Sequence, residues 1–258
     1  MTILSIFNLN IMHGRNRKSA VFPLRVSRKK IEYNLENIID CIREHDPDVV
    51  TLQEVDESSV LSGSFNQFEF LNTRLNYPYA YFAPSCSITF FKKIIFVSGN
   101  GIFSKYPLEN CESHQFDFSF PTDRMGFVMA DVKLPRGNTT SVVSVHLVYL
   151  DWMRLNSQAH QLRFLEKVLR KRKYSVILAG DFNCDLLSRR SPLRDFIART
   201  GLAVYQPEDT NQSTYPSWHP KKRIDWIFPS EGLEFTDCKT LGDKVSDHLA
   251  VFASFSVL

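Results

Sequence analysis

Ser175-Val176-Ile177-Leu178-Ala179-Gly180-Asp181-Phe182-Asn183 is a short apolar run that ends on a glycine, an acid and an amide. A run of this length stopped by glycine reads as a buried strand whose last residues leave the sheet. Two other stretches are built alike. Val49-Val50-Thr51-Leu52 leads into Gln53-Glu54, and Ser246-Asp247-His248 leads into the apolar stretch Leu249 to Phe252. Strand ends therefore carry Glu54, Asp181, Asn183, Asp247 and His248, and the expectation is that they meet in one place. Hard oxygen donors with one imidazole suit Mg2+ or Mn2+ and a phosphate ester better than zinc or a covalent nucleophile.

The chain has 258 residues, 43% hydrophobic and 23% charged, with 21 Phe. Those values fit one globular domain, 1–258, with a large partly aromatic core. A net charge of +3 does not by itself announce a nucleic-acid binder. Cys41, Cys86, Cys111, Cys184 and Cys238 are odd in number and widely spaced, against a disulfide framework or a zinc site. Met1 to Asn10 carries no basic segment ahead of its apolar residues and reads as a strand, not a signal peptide. No apolar run approaches the ~18 residues of a membrane span. A cytoplasmic protein, or one exported by another route, is expected, and a monomer is assumed.

Strand and helix patterns alternate along the chain. Ile3 to Asn10 predicts a strand, and Arg28 to Glu44 a helix with Ile31, Leu35, Ile38 and Ile42 on one face, stopped by Asp46-Pro47. Gly101 to Ser104 predicts a strand, and Phe127 to Leu134 with Thr140 to Leu147 predict a hairpin turning at Pro135-Arg136-Gly137-Asn138. Arg154 to Arg172 predicts a second helix. Ser191-Pro192 and Gly201 bracket a short third one. Strands recur at Ile224 to Phe228 and Leu249 to Phe255, whereas Asp56 to Tyr81 has no clear pattern. The alternation predicts an α/β layer architecture.

Seven runs occur in a telling order: Phe7-Asn8-Leu9, Leu52-Gln53-Glu54, Gly99 to Ser104, Val145-His146-Leu147, Gly180 to Asn183, Arg223-Ile224-Asp225 and Ser246-Asp247-His248. No one of them is specific, but together they cover nearly the whole chain and resemble the endonuclease/exonuclease/phosphatase superfamily, to which DNase I belongs. The resemblance implies a four-layer α/β sandwich, two mixed sheets packed face to face with helices outside and the site at one end. It also implies a Mg2+-dependent phosphoester hydrolase, with Mn2+ as a substitute, working by in-line attack of water without a covalent intermediate.

By resemblance Glu54 is the principal metal ligand, placed one residue beyond its strand; alone it reads equally as a solvated loop acid. Asn8 offers a carbonyl to a metal or an amide to phosphate, or is a turn former. Asp181 and Asn183, two apart, share one face of an extended chain, where Asp181 would orient or deprotonate water and Asn183 contact phosphate or metal. An Asx turn is the competing reading. His248 would be oriented by Asp225, as base or as protonated stabiliser, with Asp247 aiding the metal; a structural pair is the alternative. His146 alone is more often structural. Within the family, His at this position counts against the abasic-site endonucleases, which carry Tyr.

Arg15, Arg17, Lys18, Arg25, Arg28, Lys29 and Lys30 crowd the segment after Asn8 without an acid between Ile11 and Ile31. A solvated run is the default reading, and recruitment of a polyanion by Arg15, Arg17 and Lys18 the sharper one. Arg124 is a candidate phosphate contact. Tyr149, Trp152 and Trp218 are candidates for stacking on substrate, while Phe116, Phe118 and Phe120 alternate like a half-buried strand. The substrate is expected to be a phosphodiester, with nucleic acid or a phospholipid head group as partner. Alternatives are a DNA or RNA nuclease, a phosphoinositide phosphatase, and a catalytically silent binding module. Arg223-Ile224-Asp225-Trp226 stands where the inositol phosphatases carry Trp-Cys-Asp-Arg, which weakens that branch.

Overall fold

The computed structural model describes residues 2–16, 25–117, 125–149, 157–205 and 212–258. Six strands form one mixed sheet: β1 (Thr2–Asn10), β2 (Val49–Ser59), β3 (Tyr79–Phe90), β4 (Lys93–Ser104), β10 (Leu233–Thr240) and β11 (Val251–Val257), in the order β10-β11-β1-β2-β4-β3. The second sheet runs β5-β6-β7-β8-β9, from β5 (Leu108–Gln115), β6 (Gly126–Lys133), β7 (Thr139–His146), β8 (Ser175–Asp181) and β9 (Asp225–Pro229). β1 with β2 and β7 with β8 are the parallel pairs.

Period-two alternation sorts the apolar residues into three cores and so into four layers. Leu4 and Ile6 of β1, Ile177 and Ala179 of β8, and Ile227 of β9 face the neighbouring sheet in the central core. Their odd-out neighbours Phe7 and Leu9 pack instead under α1 (Arg28–His45), against Ile31, Leu35, Ile38 and Ile42. Val176, Leu178, Trp226 and Phe228 pack under α3 (Ser157–Leu169) and α4 (Pro192–Thr200), against Leu162, Leu165, Leu193 and Phe196. Each helix buries one face because its apolar residues recur every three to four positions. α1 ends where Asp46 turns left-handed, its amide returning to the Ile42 carbonyl, and Pro47 bars another turn. No described helix is long and apolar enough to cross a membrane.

The predicted helices and hairpin are present with small shifts at their ends; residues 154–156 lie outside the described set. Three strands and one helix are additional: β3, β5, β10 and α2 (Gln67–Leu75), the last capped by Asn66 accepting from the Glu69 amide at 3.0 Å. None of the five cysteines is in a disulfide, and Cys111 is exposed. The sheets are tied by buried polar contacts near the site: Gln53 Nε2 donates to Asn8 Oδ1 at 3.0 Å and across the interface to Ser144 Oγ at 2.9 Å. Asn100 Nδ2 likewise crosses to the Gly126 carbonyl at 2.9 Å.

Gly180 holds the approach to the site. Its φ is +153°, and a Cβ there would lie 2.0 Å from the Val145 carbonyl oxygen on the paired strand. Clash and backbone strain together predict that Gly180→Ala costs about 3 kcal/mol, lowering Tm by roughly 6–12 °C. Differential scanning calorimetry checks it; an unchanged Tm would mean β7 and β8 are not held this closely.

Candidate active site

The inward face of the second sheet ends in a row of functional side chains. β7 pairs His146 with Asp181 of β8, and β8 pairs Asp181 with Asp225 of β9. All three continue the inward alternation of Val142, Ile177 or Ala179, and Ile227, at the point where the apolar core stops. From the first sheet, Asn10 donates through Nδ2 to Asp181 Oδ2 and to Glu54 Oε1, both at 3.1 Å. Asp181 is thus the junction: His146 Nε2 lies 3.6 Å and His248 Nε2 3.8 Å from the same Oδ2.

Glu54 reaches this place by a route the sequence does not show. β2 does not end before it; the strand continues to Ser59. Alternation would send Glu54 outward with Val50 and Leu52, under α1. Between Leu52, paired with Gly101, and Val55, paired with Gly99, two residues oppose one, so the strand bulges. Glu54 takes φ 55° there and turns inward. A left-handed non-glycine costs about 1–2 kcal/mol, a strain spent on aiming one carboxylate.

His248 lies in the loop before β11, not at the strand itself. Ser246 Oγ donates to the Asn10 carbonyl at 2.8 Å, and the Ser217 amide to the Asp247 carbonyl at 2.7 Å, which pins that loop. His248 Nδ1 is 2.9 Å from Asp225 Oδ2, so the imidazole stands between two carboxylates. Burial opposes its charge, but Asp225 and Asp181 prevail and raise its pKa well above the usual imidazole range. Burial, then the charge of Asp225, raises Asp181 to about 6 against the pull of the histidines and Asn10. Asp247 is also raised, by burial and by Glu54. Glu54 is the exception: burial is outweighed by His13, His146 and Asn10, and its pKa falls.

Asn183 departs from the extended geometry expected of it. β8 stops at Asp181, Asn183 takes φ 49°, its amide N–H donates to Asp181 Oδ1 at 2.8 Å, and its Nδ2 donates to the Leu147 carbonyl at 2.9 Å. The Asx turn is therefore present, and Asn183 still lines the cleft. Asn8 is not brought to the cleft. Two residues deeper on β1, its Oδ1 accepts from Thr51 Oγ1 at 2.8 Å as well as from Gln53, which occupies the oxygen a metal would need. Asn10, on the same face one period later, is also buried but reaches Glu54 and Asp181.

Arg15 is not a solvated loop cation. It is 1% exposed, donates from Nη2 to the Leu61 carbonyl at 3.1 Å and lines the cleft. Arg25, Arg28, Lys29 and Lys30 are exposed, with Arg28 paired to Glu32 at 2.7 Å. Tyr149 is exposed at the cleft and Trp218 is half-buried in the loop after Tyr215. Phe116 packs in the outer core of the second sheet. Arg17, Lys18, Phe118, Phe120, Arg124 and Trp152 lie outside the described residues.

Four residues escaped the sequence reading: Asn10, His13, Asp56 and Tyr215. His13 Nδ1 is 2.7 Å from Asp56 Oδ1, and Nε2 is 3.2 Å from Glu54 Oε2, a second Asp-His pair bracing the bulged acid. Burial works against charge on His13, but Asp56 and Glu54 raise its pKa to about 9. Asp56 Oδ2 also accepts a short bond from Ser62 Oγ. Tyr215 stacks obliquely on His248, ring centres 4.9 Å apart. The residue two after Asn8 was the legible one, by strand parity; His13 and Asp56 carry no local signature.

A sequence model described as the endonuclease/exonuclease/phosphatase family matches residues 31–248. The chain belongs to that family. Its members are generally phosphoester hydrolases that use a divalent metal. A UPF0294 protein of Vibrio campbellii is 26% identical over 125 residues, 48% of this chain and only 43% of that relative's length. Among solved structures, a family member from Beutenbergia cavernae superposes with TM-score 0.75 at 22% identity, covering 100% of this chain and 72% of that one. The human Nocturnin catalytic domain with bound sulfate gives 0.72 at 18%, covering 99% and 94%. D. rerio TDP2 complexed with single-strand DNA product gives 0.70 at 16%, covering 100% of both. At these identities the likeness is one of fold.

Within this family member the donors suit a hard dication. Glu54, Asp181 and Asp247 face one cleft, and burial raises Asp181 and Asp247 by disfavouring their charged forms, a penalty that a bound dication would offset. Asp181, Asp225 and His248 also offer ligand atoms within 4.8 Å of one another, but Asp225 and His248 already engage each other.

Proposed function

We propose that this protein is a Mg2+-dependent phosphodiesterase that hydrolyses its substrate by direct in-line attack of water. One observation supports it above the rest: Asp181 is a buried carboxylate raised to about 6, within 3.1 to 3.8 Å of Asn10, His146 and His248. A carboxylate tuned toward neutrality and surrounded by donors is suited to take a proton from water near pH 7. His248, held in one orientation by Asp225, carries its proton and stabilises the charge that develops on the phosphoryl oxygens. His146 sits on the opposite side of Asp181 and donates to the same region. Asn183 lines the floor beside the attacking water. Glu54 and Asp247 would hold the metal with Asp181 in reach; Asn10 fixes Glu54 and Asp181 relative to each other, and Asn8 supports them from below. Mg2+ bound there would neutralise the phosphoryl charge and assist departure of the leaving oxygen.

All the polar residues that the proposed chemistry needs are present, which favours an enzyme over a silent binding module. The test is a panel with Mg2+: supercoiled and single-stranded DNA, RNA, phosphoinositides, phospholipid diesters, a tyrosyl-DNA ester and a chromogenic diester, beside the matching monoesters. Preference for diesters supports the reading. Hydrolysis of monoesters alone makes the protein a phosphatase, and no turnover on any of them makes it a binding module.

A further inference from the structure

Beside the catalytic cleft lies a second cavity of about 370 Å³, reached past His13, Glu54 and His146. Those three are its acid-histidine end. Elsewhere its wall is Val60, Leu61, Cys86, Ile88, Phe96 and Met125, with neighbours that include Ile95 and Ser98, and no other ionisable side chain than the Cys86 thiol. Ser98 turns its hydroxyl to the Val55 carbonyl at 3.2 Å and Asn100 its amide to main-chain carbonyls, so these two donors are already engaged. A ligand that fits is amphiphilic, with an anionic group at the acid-histidine end and an apolar body along the wall. A nucleic acid would instead need cations tracking its backbone, and among the described residues this cavity is lined by no Lys or Arg.

Cys86, Ile88, Ile95 and Phe96 of the wall belong to the β3–β4 hairpin, and the hairpin continues it outward. Phe91 is 86% exposed, Ile94 61% and Ile88, which also lines the cavity, 42%. Phe90 pairs with Lys93, leaving Phe91-Lys92 as a two-residue turn with φ 45° and 62°. Turns with both central residues left-handed favour Asn-Gly, because larger side chains are strained there. This one instead projects a phenyl ring beside an exposed Lys92. An apolar apex flanked by a cation suits the boundary between acyl chains and anionic head groups.

We propose that the hairpin apex enters a lipid surface and that the adjoining cavity receives the acyl or alkyl part of a phosphodiester drawn from it. The proposal rests on the diesterase reading for its substrate but not for its surface binding. The first experiment is co-sedimentation of the whole protein with vesicles of phosphatidylcholine, alone and mixed with phosphatidylserine. Wild type should sediment, more so with phosphatidylserine. Phe91→Asn/Lys92→Gly restores a favourable turn, so it should fold at least as stably yet bind vesicles at least ~10-fold more weakly; Phe91→Asn alone separates the ring from the charge. The second uses p-nitrophenyl phosphodiesters bearing methyl, butyl or octyl groups. KM should fall about two- to fourfold per methylene until the cavity is full, and Ile88→Asp should flatten the series. No sedimentation of wild type, sedimentation indifferent to Phe91→Asn/Lys92→Gly, or a flat chain-length series would overturn the proposal. If the vesicles are bound but no diester is cleaved, the diesterase reading fails while the lipid-facing apex stands.

Discussion

Asp181→Asn is expected to lower kcat by at least ~10²-fold, the scale of losing one positioned proton acceptor, while leaving the protein no less stable at neutral pH without metal. The two halves come from one cause. The carboxyl is raised to about 6, first by burial and then by Asp225, so the folded state disfavours its ionised form. A raised acid contributes stability below its unfolded pKa near 4, and that contribution is lost as pH climbs through 6. At pH 7 the ionised group therefore costs on the order of 2 kcal/mol, which an uncharged amide removes. Part of the gain is given back because Asn10 Nδ2, which donates to Oδ2 at 3.1 Å, could face another amide nitrogen. Melting curves from pH 4 to pH 8 and single-turnover rates check both halves. A variant that melts early would make Asp181 structural, and one that turns over normally would remove it from the chemistry.

Chelation should take hydrolysis of every active ester to background, and Glu54→Gln should lower kcat by ~10²-fold or more even in excess Mg2+, by the size of comparable electrostatic losses. Glu54 is the carboxylate whose pKa the surrounding imidazoles and Asn10 depress, so it is ionised and ready for a cation across the neutral range. Binding can be read without turnover. A ligand that binds only the folded state raises Tm with its concentration, so Mg2+ should shift the wild-type melt upward and shift those of Glu54→Gln and Asp247→Asn less. Full activity after verified metal removal, or identical Mg2+ shifts in all three proteins, would contradict the assigned donors.

Local chemistry made a good part of this molecule readable. Ser191-Pro192 and Gly201 frame α4 because a proline fits the first turn and glycine the left-handed exit, where φ is 69°. The strands missed, β3, β5 and β10, are all at sheet edges. An edge strand faces solvent along one side and tolerates polar residues, as in Glu109-Asn110-Cys111-Glu112 of β5, so its alternation blurs. The strands found by pattern, β1, β7, β8 and β11 among them, are mostly interior and apolar for the same reason.

The site divides along the same physical line. Strand parity alone places His146, Asp181 and Asp225 on the inward face where the core ends, and the family's runs announce which residues matter. Parity would send Glu54 outward; only a bulge formed against β4 turns it in, and a bulge depends on how two strands distant in sequence settle their register. Nor does any local pattern pair His13 with Asp56, 43 residues away, or stack Tyr215 on His248. Arg15 looks like a surface cation by its neighbours in sequence, and the fold buries it beside the acids. Sequence determined the elements and most of the reactive groups through periodicity and local backbone preference. The tertiary structure decided which of them converge, because convergence is set by register, bulges and contacts between segments that share no local signal.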